Sequence, residues 1–180
     1  GVALVDAPVA GGVRRAVDGS LAIMVGGAAA DAERAMPWLT PMGKTIVHVG
    51  PPGAGHAVKA LNNFVSATGL VATCEALVAA QRFGIDPALA NRVFNASTGR
   101  NNTTDVKVEA YMLSGRFDSG FAAALMRKDL DTAESLMQSL GTERDLMHAC
   151  ATLWQQAEAA LPPGADHTSM FTFVKERAGG

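Results

Sequence analysis

The amino-acid sequence predicts a mainly α protein, an all-helical domain preceded by a short β-rich segment. Three observations predict it. Short apolar runs rich in β-formers occur only before residue 51. A breaker cluster, Pro51-Pro52-Gly53-Ala54-Gly55, follows them. From Gly55 onward the apolar spacing is helical throughout.

In the first third, residues 2–9 (VALVDAPV) predict a strand ending at Pro8, with Ala10-Gly11-Gly12 as a turn or loop after it. Residues 21–26 (LAIMVG) predict a second strand. Asp31 is expected to cap a helix that Pro41 and Gly43 terminate, and residues 44–50 form a third strand. A helix from about Gly55 to Phe83 would be roughly 43 Å long. It is apolar on nearly every side, which predicts burial all round. Asp86 followed by Pro87 is an N-cap with proline at the first helical position, opening a helix to about Ala96. Residues 97–104 are polar and predict a loop, and residues 105–114 a short helix. A helix from Gly120 to Leu140 would carry Ala122, Met126, Leu130, Ala133, Met137 and Leu140 as its core stripe, with Gly141 ending it. Residues 143–160 form another, broken by Pro162-Pro163-Gly164, and Asp166 or Thr168 caps a last one to about Arg177.

Composition narrows the functional classes. The chain has 180 residues, 48% apolar and 18% charged, which excludes disorder and allows one domain or one and a fraction. A net charge of -2 offers no field for a phosphate backbone, so no nucleic-acid partner is expected. The longest apolar stretch, Ala60 to Cys74, is interrupted by Asn62, Asn63, Ser66, Thr68 and Thr73, so a buried helix is expected there and no membrane span. Cys74 and Cys150 lie far apart and form no scaffold, which fits a reducing cytoplasm. The four histidines, at 48, 56, 148 and 167, have no ligand spacing, so no metal site is expected. The chain opens on Gly1 and runs at once into a strand-like segment, which predicts that it starts inside a larger protein.

Few residues carry candidate chemistry. Gly50 to Gly55 joins a strand to a helix, as a dinucleotide loop would, but Val58 stands where the third glycine belongs and two prolines remove N–H groups. A hinge is the better reading. Backbone N–H groups at Ala10, Gly11 and Gly12 either grip a carboxylate or make a plain turn. Lys59, Asn62, Asn63 and Ser66 share one face of the long helix. Lys59 is the only Lys, Arg, Asp or Glu in that helix before Glu75, and the positive end of the helix dipole disfavours a cation there. Lys128-Asp129 is either a solvated helix face or part of a site.

Three segments in order resemble the β-hydroxyacid dehydrogenases, the 3-hydroxyisobutyrate dehydrogenase group. Asp6-Ala-Pro-Val-Ala-Gly-Gly12, with Ala16 and Gly19, is similar to that family's substrate-binding segment. Gly53-Ala-Gly-His-Ala-Val-Lys59 with Asn62-Asn63 is similar to its catalytic segment, and Phe121 with Lys128-Asp129-Leu130 to its cofactor-side segment. Asp166-His-Thr-Ser169 resembles its closing helix. The resemblance covers essentially the whole chain. It implies that residues 1–52 are the end of an NAD(P)-binding Rossmann-like domain. Residues 53–180 are then an all-helical domain like the C-terminal domain of 6-phosphogluconate dehydrogenase, serving substrate binding and dimerisation.

The resemblance further implies hydride transfer between NAD or NADP and a small β-hydroxy acid, in a homodimer or tetramer. The cofactor would be held mainly by the absent N-terminal part, leaving this piece inactive alone. Lys59 would be the acid–base group and Asn63 its neighbour, hydrogen-bonding the substrate or holding the lysine. Gly11 and Gly12 would hold the carboxylate, Phe121 would wall the pocket and Lys128 would lie near the cofactor. A free lysine titrates near about 10.4, so use as a base requires burial to lower it. Ala10 stands where the family usually shows serine, which removes a hydroxyl donor. Two alternatives share the fold: a catalytically silent oligomerisation or binding domain, and an imine-reductase-like relative, which generally lacks this lysine. A free-standing α-helical binding domain is a third.

Overall fold

The computed structural model describes residues 2–179. The chain divides into two compact units, Gly1–Asn62 and Asn63–Gly180.

The first unit contains β1 (Val9–Ala10), α1 (Gly12–Val17), β2 (Leu21–Gly26), α2 (Ala29–Leu39), β3 (Gly43–Gly50) and the first turns of α3 (Ala54–Phe83). The sheet order is β1-β2-β3, with β1 antiparallel and β3 parallel to β2. Ile23 faces Val9 on one side and Ile46 on the other. Leu21, Ile23 and Val25 of β2 pack with Ala32 and Leu39 of α2 into this unit's core.

The strand expected over residues 2–9 is reduced to two points of pairing. Asp6 bridges Gly26, and only Val9–Ala10 forms a ladder with β2. Pro8 lies between them and has no N–H to give, so it contributes only its carbonyl, which accepts from Met24 N at 3.0 Å. Gly11 and Gly12 are more than a loop: they open α1, with φ of 133° and 68° that a Cβ would resist. Asp31 is not the cap of α2. Ala28 is, its carbonyl accepting from Asp31 N and Ala32 N, while Asp31 sits in the first turn where its charge suits the helix dipole.

The second unit is helical: the rest of α3, α4 (Pro87–Asn95), a π-helix (Thr103–Leu113), α5 (Ala123–Ser139), α6 (Asp145–Ala160), a 3-10 turn (His167–Ser169) and α7 (Met170–Arg177). Its fully buried side chains include Leu70, Leu77, Leu130, Met147, Trp154 and Met170. Asp86 caps α4 by accepting from Leu89 N at 2.9 Å, ahead of Pro87. The polar loop is shorter than 97–104 and the next helix starts before residue 105. Asn101 Oδ1 accepts from Thr103 N at 2.8 Å and Thr104 N at 3.2 Å, which starts the helix at Thr103. That helix is a π-helix, and its Thr104 carbonyl also accepts from the amides of Asn91 and Asn95. α5 begins at Ala123 and not at Gly120, because Gly120 and Phe121 donate to Asp166 and Ala122 bridges to it. Leu140 falls at the C-cap and is exposed, outside the core stripe that Met126, Leu130 and Ala133 form.

α3 has 30 residues, about 45 Å at roughly 1.5 Å each. Its length and mean hydropathy would suffice to cross a membrane. One line of it, Ala67, Leu70, Cys74 and Leu77, is fully buried and belongs to the core of the second unit. Burial all round is not observed. Val65 is 69% and Phe83 84% exposed, and Ala72, Ala76 and Ala79 are exposed between them. Most of this line is alanine, so the apolar area left in water is small despite the hydrophobic sequence.

Gly55 opens α3 against the sheet. A Cβ there would lie 2.7 Å from Asp6 Oδ2 and 3.0 Å from Pro8 Cδ. Gly55→Ala is expected to destabilise the chain by roughly 1–3 kcal/mol through overpacking. Thermal or urea midpoints measure this, and an unchanged midpoint would show that the contact is slack.

Candidate active site

In the first unit the site residues are organised by Asp6. Its carboxylate accepts from Gly53 N at 2.7 Å and from His56 N at 2.9 Å, and the His56 ring lies 3.1 Å away. Burial pushes this carboxyl up, but the N–H groups of Gly53 and His56 and the His56 ring hold it below its ordinary value. These are the N–H groups that the start of a helix leaves unsatisfied. With them occupied by a side chain, the start of α3 is no cradle for a pyrophosphate, in agreement with the broken glycine register of the Gly50–Gly55 loop. One turn further on, Lys59 Nζ donates to Val9 O at 2.7 Å. Asp6 and Lys59 thus tie the segment 6–9 to the first turns of α3. Ala10 follows, half-buried in β1, and Gly11 and Gly12 are exposed. Lys59 is half-buried.

In the second unit two groupings form. Asn63, buried at 7% exposure, donates from Nδ2 to Asp129 Oδ2 at 2.5 Å, joining α3 to α5. The neighbouring Lys128 is exposed, with Nζ 3.6 Å from the other carboxylate oxygen. Phe121 belongs to the other grouping. Asp166 accepts from Ser119 Oγ, Gly120 N and Phe121 N on one side, and from Thr168 N at 2.9 Å and Thr168 Oγ1 at 2.6 Å on the other. His167 donates from its backbone N–H to Phe121 O at 2.8 Å, its Nδ1 lies 2.9 Å from the same oxygen, and its ring meets the Phe121 ring edge to face at 5.5 Å. Burial pushes the Asp166 carboxyl up, yet His167, Thr168 and Ser119 together hold it far below the ordinary carboxylate range. Burial also pulls Lys107, on the π-helix, down to about 8, with the charge of Asp166 opposing.

The fold therefore joins Lys59 to the segment leading into Ala10–Gly12, and Asn63 to the Lys128-Asp129 step, and holds Phe121 separately through Asp166 and His167. The sequence gives Asp6 and Asp129 no role beyond their motifs, and Asp166 that of a helix cap, which it fulfils by accepting from Thr168 N. Their signal was an acidic residue inside an otherwise apolar or glycine-rich motif, where burying a carboxylate requires donors.

Comparison with known proteins places the chain in a family. Residues 53–174 match the family model described as NAD-binding of NADP-dependent 3-hydroxyisobutyrate dehydrogenase. The chain belongs to the β-hydroxyacid dehydrogenase family. Residues 1–50 match the NAD binding domain of 6-phosphogluconate dehydrogenase. The 2-(hydroxymethyl)glutarate dehydrogenase of Eubacterium barkeri is 41% identical over 74% of this chain and 44% of its own length. The mitochondrial 3-hydroxyisobutyrate dehydrogenase of Homo sapiens is 31% identical over 98% of this chain and 54% of its own. Among solved structures, Mycobacterium tuberculosis 3-hydroxyisobutyrate dehydrogenase with L-serine superposes with a TM-score of 0.87 at 32% identity, covering 95% of this chain and 60% of that one. The chain spans about half the length of these curated family members. NAD(P) is the cofactor class to which the matched family models belong.

The depressed Asp166 carboxyl sets a pH dependence. A folded value below the unfolded value of about 3.9 means that its bonds stabilise fully above that pH and are lost as pH falls below it. Asp166→Asn is expected to lower the melting temperature at pH 7, and the gap from the parent chain should begin to narrow as pH drops below about 4. Melting curves from pH 7 to 3 test this, and a gap that stays constant would refute it.

Proposed function

We propose that this chain is the C-terminal part of an NAD(P)-dependent dehydrogenase that interconverts a small β-hydroxy acid and its aldehyde or keto form by hydride transfer. The observation that carries the reading is the tethering of two neighbouring polar groups on α3. Lys59 is bonded to the Val9 carbonyl and Asn63 to Asp129. The relatives support the substrate class. 2-(Hydroxymethyl)glutarate, 3-hydroxyisobutyrate and L-serine all carry a hydroxyl on the carbon β to a carboxylate.

In this reading Lys59 Nζ takes the hydroxyl proton during oxidation and returns it during reduction. The Val9 carbonyl fixes one N–H of the amine and so aims the nitrogen. The Gly11 and Gly12 N–H groups hold the carboxylate, without help from a hydroxyl at Ala10. Phe121, fixed by Asp166 and His167, walls the substrate pocket. When bound, the nicotinamide cofactor supplies the hydride chemistry. The start of α3 is closed to its pyrophosphate, so it is held mainly by an N-terminal nucleotide-binding half, with Lys128 on the cofactor side. The unpaired, buried Cys74 and Cys150 suit a reducing cytoplasm.

In the longer protein carrying this chain and that half, Lys59→Ala is expected to lower kcat by about 10²–10⁴-fold, with a smaller change in KM. Lys59→Arg should fail as well, because a guanidinium stays protonated. Turnover within a few-fold of the parent would remove Lys59 as the acid–base group.

The proposal includes a homodimer or tetramer formed through residues 53–180. Its support is the exposed line of Val65, Ala72, Ala76, Ala79 and Phe83 on α3, whose small residues permit close helix approach. Ala67, at the same helix but fully buried, is not part of it. Light scattering on the purified chain should show a discrete dimer or tetramer. A monomer at high micromolar concentration would refute the interface.

A further inference from the structure

Asp6 is held by its backbone and its side chain at once. Its N–H donates to Gly26 O at 2.9 Å and its carbonyl accepts from Gly26 N at 2.8 Å, which fixes the residue on the end of β2. Its side chain is 14% exposed, with Oδ1 accepting from Gly53 N at 2.7 Å and Oδ2 from His56 N at 2.9 Å. Three residues on, Val9 O accepts from Lys59 Nζ at 2.7 Å. These bonds close a ring of chain within the first unit. It runs from Asp6 along the backbone to Val9, across to Lys59, back one turn of α3 to His56, and across to Asp6. A lysine amine rides on a flexible four-carbon stem, so a single hydrogen bond fixes it loosely. Here the root of the stem is fixed as well, because the Asp6 carboxylate holds the turn of α3 that precedes it.

We infer that Asp6 is a positioning residue that sets the Lys59 amine at a fixed span from the Gly11 and Gly12 N–H groups. This rests on the reading of Lys59 as the acid–base group and of the two glycines as the carboxylate cradle. In a β-hydroxy acid a single carbon separates the hydroxyl-bearing carbon from the carboxyl carbon. The amine that takes the hydroxyl proton must therefore stand at one matching distance from the cradle. The cradle lies two and three residues beyond Val9, and the amine is bound to Val9 itself. The strand side of the ring is covalent, so what remains to be set is where α3 starts, and the Asp6 carboxylate sets it. Gly26 and Gly55 crowd this carboxylate, and neither has room for a Cβ, so it has one seat. Its charge matters too. An ionised carboxylate only accepts, and its two oxygens each face a backbone N–H. An asparagine of the same shape would meet one of those N–H groups with its own NH2, donor against donor, and the start of α3 would shift to relieve it.

The test is a double-mutant cycle in the longer protein, with turnover measured at a temperature where every variant is folded by circular dichroism. Asp6→Asn is expected to lower kcat roughly 10- to 100-fold, as a displacement of reacting groups by about 1 Å does, with KM changed less. In a Lys59→Ala background the same substitution should lower the residual turnover by less than about two-fold, since coupled residues are not additive. A purely structural role would reduce turnover equally in both backgrounds, and that result would overturn the inference. So would a kcat for Asp6→Asn within a few-fold of the parent. Should Asp6→Asn not fold, Asp6→Ser, whose one hydroxyl oxygen can serve only one of the two N–H groups well, carries the same expectations. Failure of both variants to fold also overturns the inference, because Asp6 would then serve the fold alone. If Lys59→Ala loses turnover while Asp6→Asn keeps it, only the positioning role fails. If Lys59→Ala retains turnover, the acid–base reading fails and this inference with it.

Discussion

The bond on which the first unit depends is that between the Asp6 carboxylate and the opening N–H groups of α3. A 30-residue helix leaves donors at its start that must find acceptors. Here the acceptor is a side chain from the β-rich segment, 47 and 50 residues away in sequence from Gly53 and His56. The fit is close enough that Gly26 and Gly55 have no room for a Cβ: one built on Gly26 would sit 2.8 Å from Gly55 N. The bond fixes where the helix begins, and with it the position of Lys59 beside Val9.

The same device recurs twice in the second unit. Asp129 seats the amide of Asn63, and Asp166 seats the Ser119–Phe121 segment together with the turn at Thr168. In each case a carboxylate with little exposure is satisfied by donors from the segment bearing a proposed site residue. Charge-assisted bonds to N–H groups are stronger and more directional than apolar contacts. Lys59, Asn63 and Phe121 therefore sit on backbone that polar anchors hold, while alanine, leucine and methionine supply the bulk of the core.

The resemblance in sequence was carried by motifs, and the structure separates their members by task. The lysine, amide, aromatic and glycine residues are those to which the proposed chemistry gives a part. The aspartates of the same motifs hold those residues in place. Ala10 is the departure from the family pattern, and it lies half-buried in β1 opposite Ala22 instead of offering a hydroxyl.

By itself the sequence determined the fold class, the β-to-α change near residue 51, the long α3, the Asp86-Pro87 cap and the family, because periodicity, breakers and motif spacing are local or linear signals. It also singled out Lys59 and Asn63, since a cation and amides on an apolar helix stand out without any knowledge of their neighbours. Tertiary structure alone decided the rest. The segment before Pro8 pairs only where β2 offers partners, so its β-rich composition overstated the strand. α5 starts at Ala123 because Asp166, more than 40 residues on, takes the N–H groups before it. α3 is buried on one face and not all round, because exposure depends on which elements pack against it and not on its own composition. The orientation of the Asn63 amide depends on Asp129, 66 residues away. Hydrogen bonds over such separations leave no periodic trace in a single sequence, and they are what place these side chains.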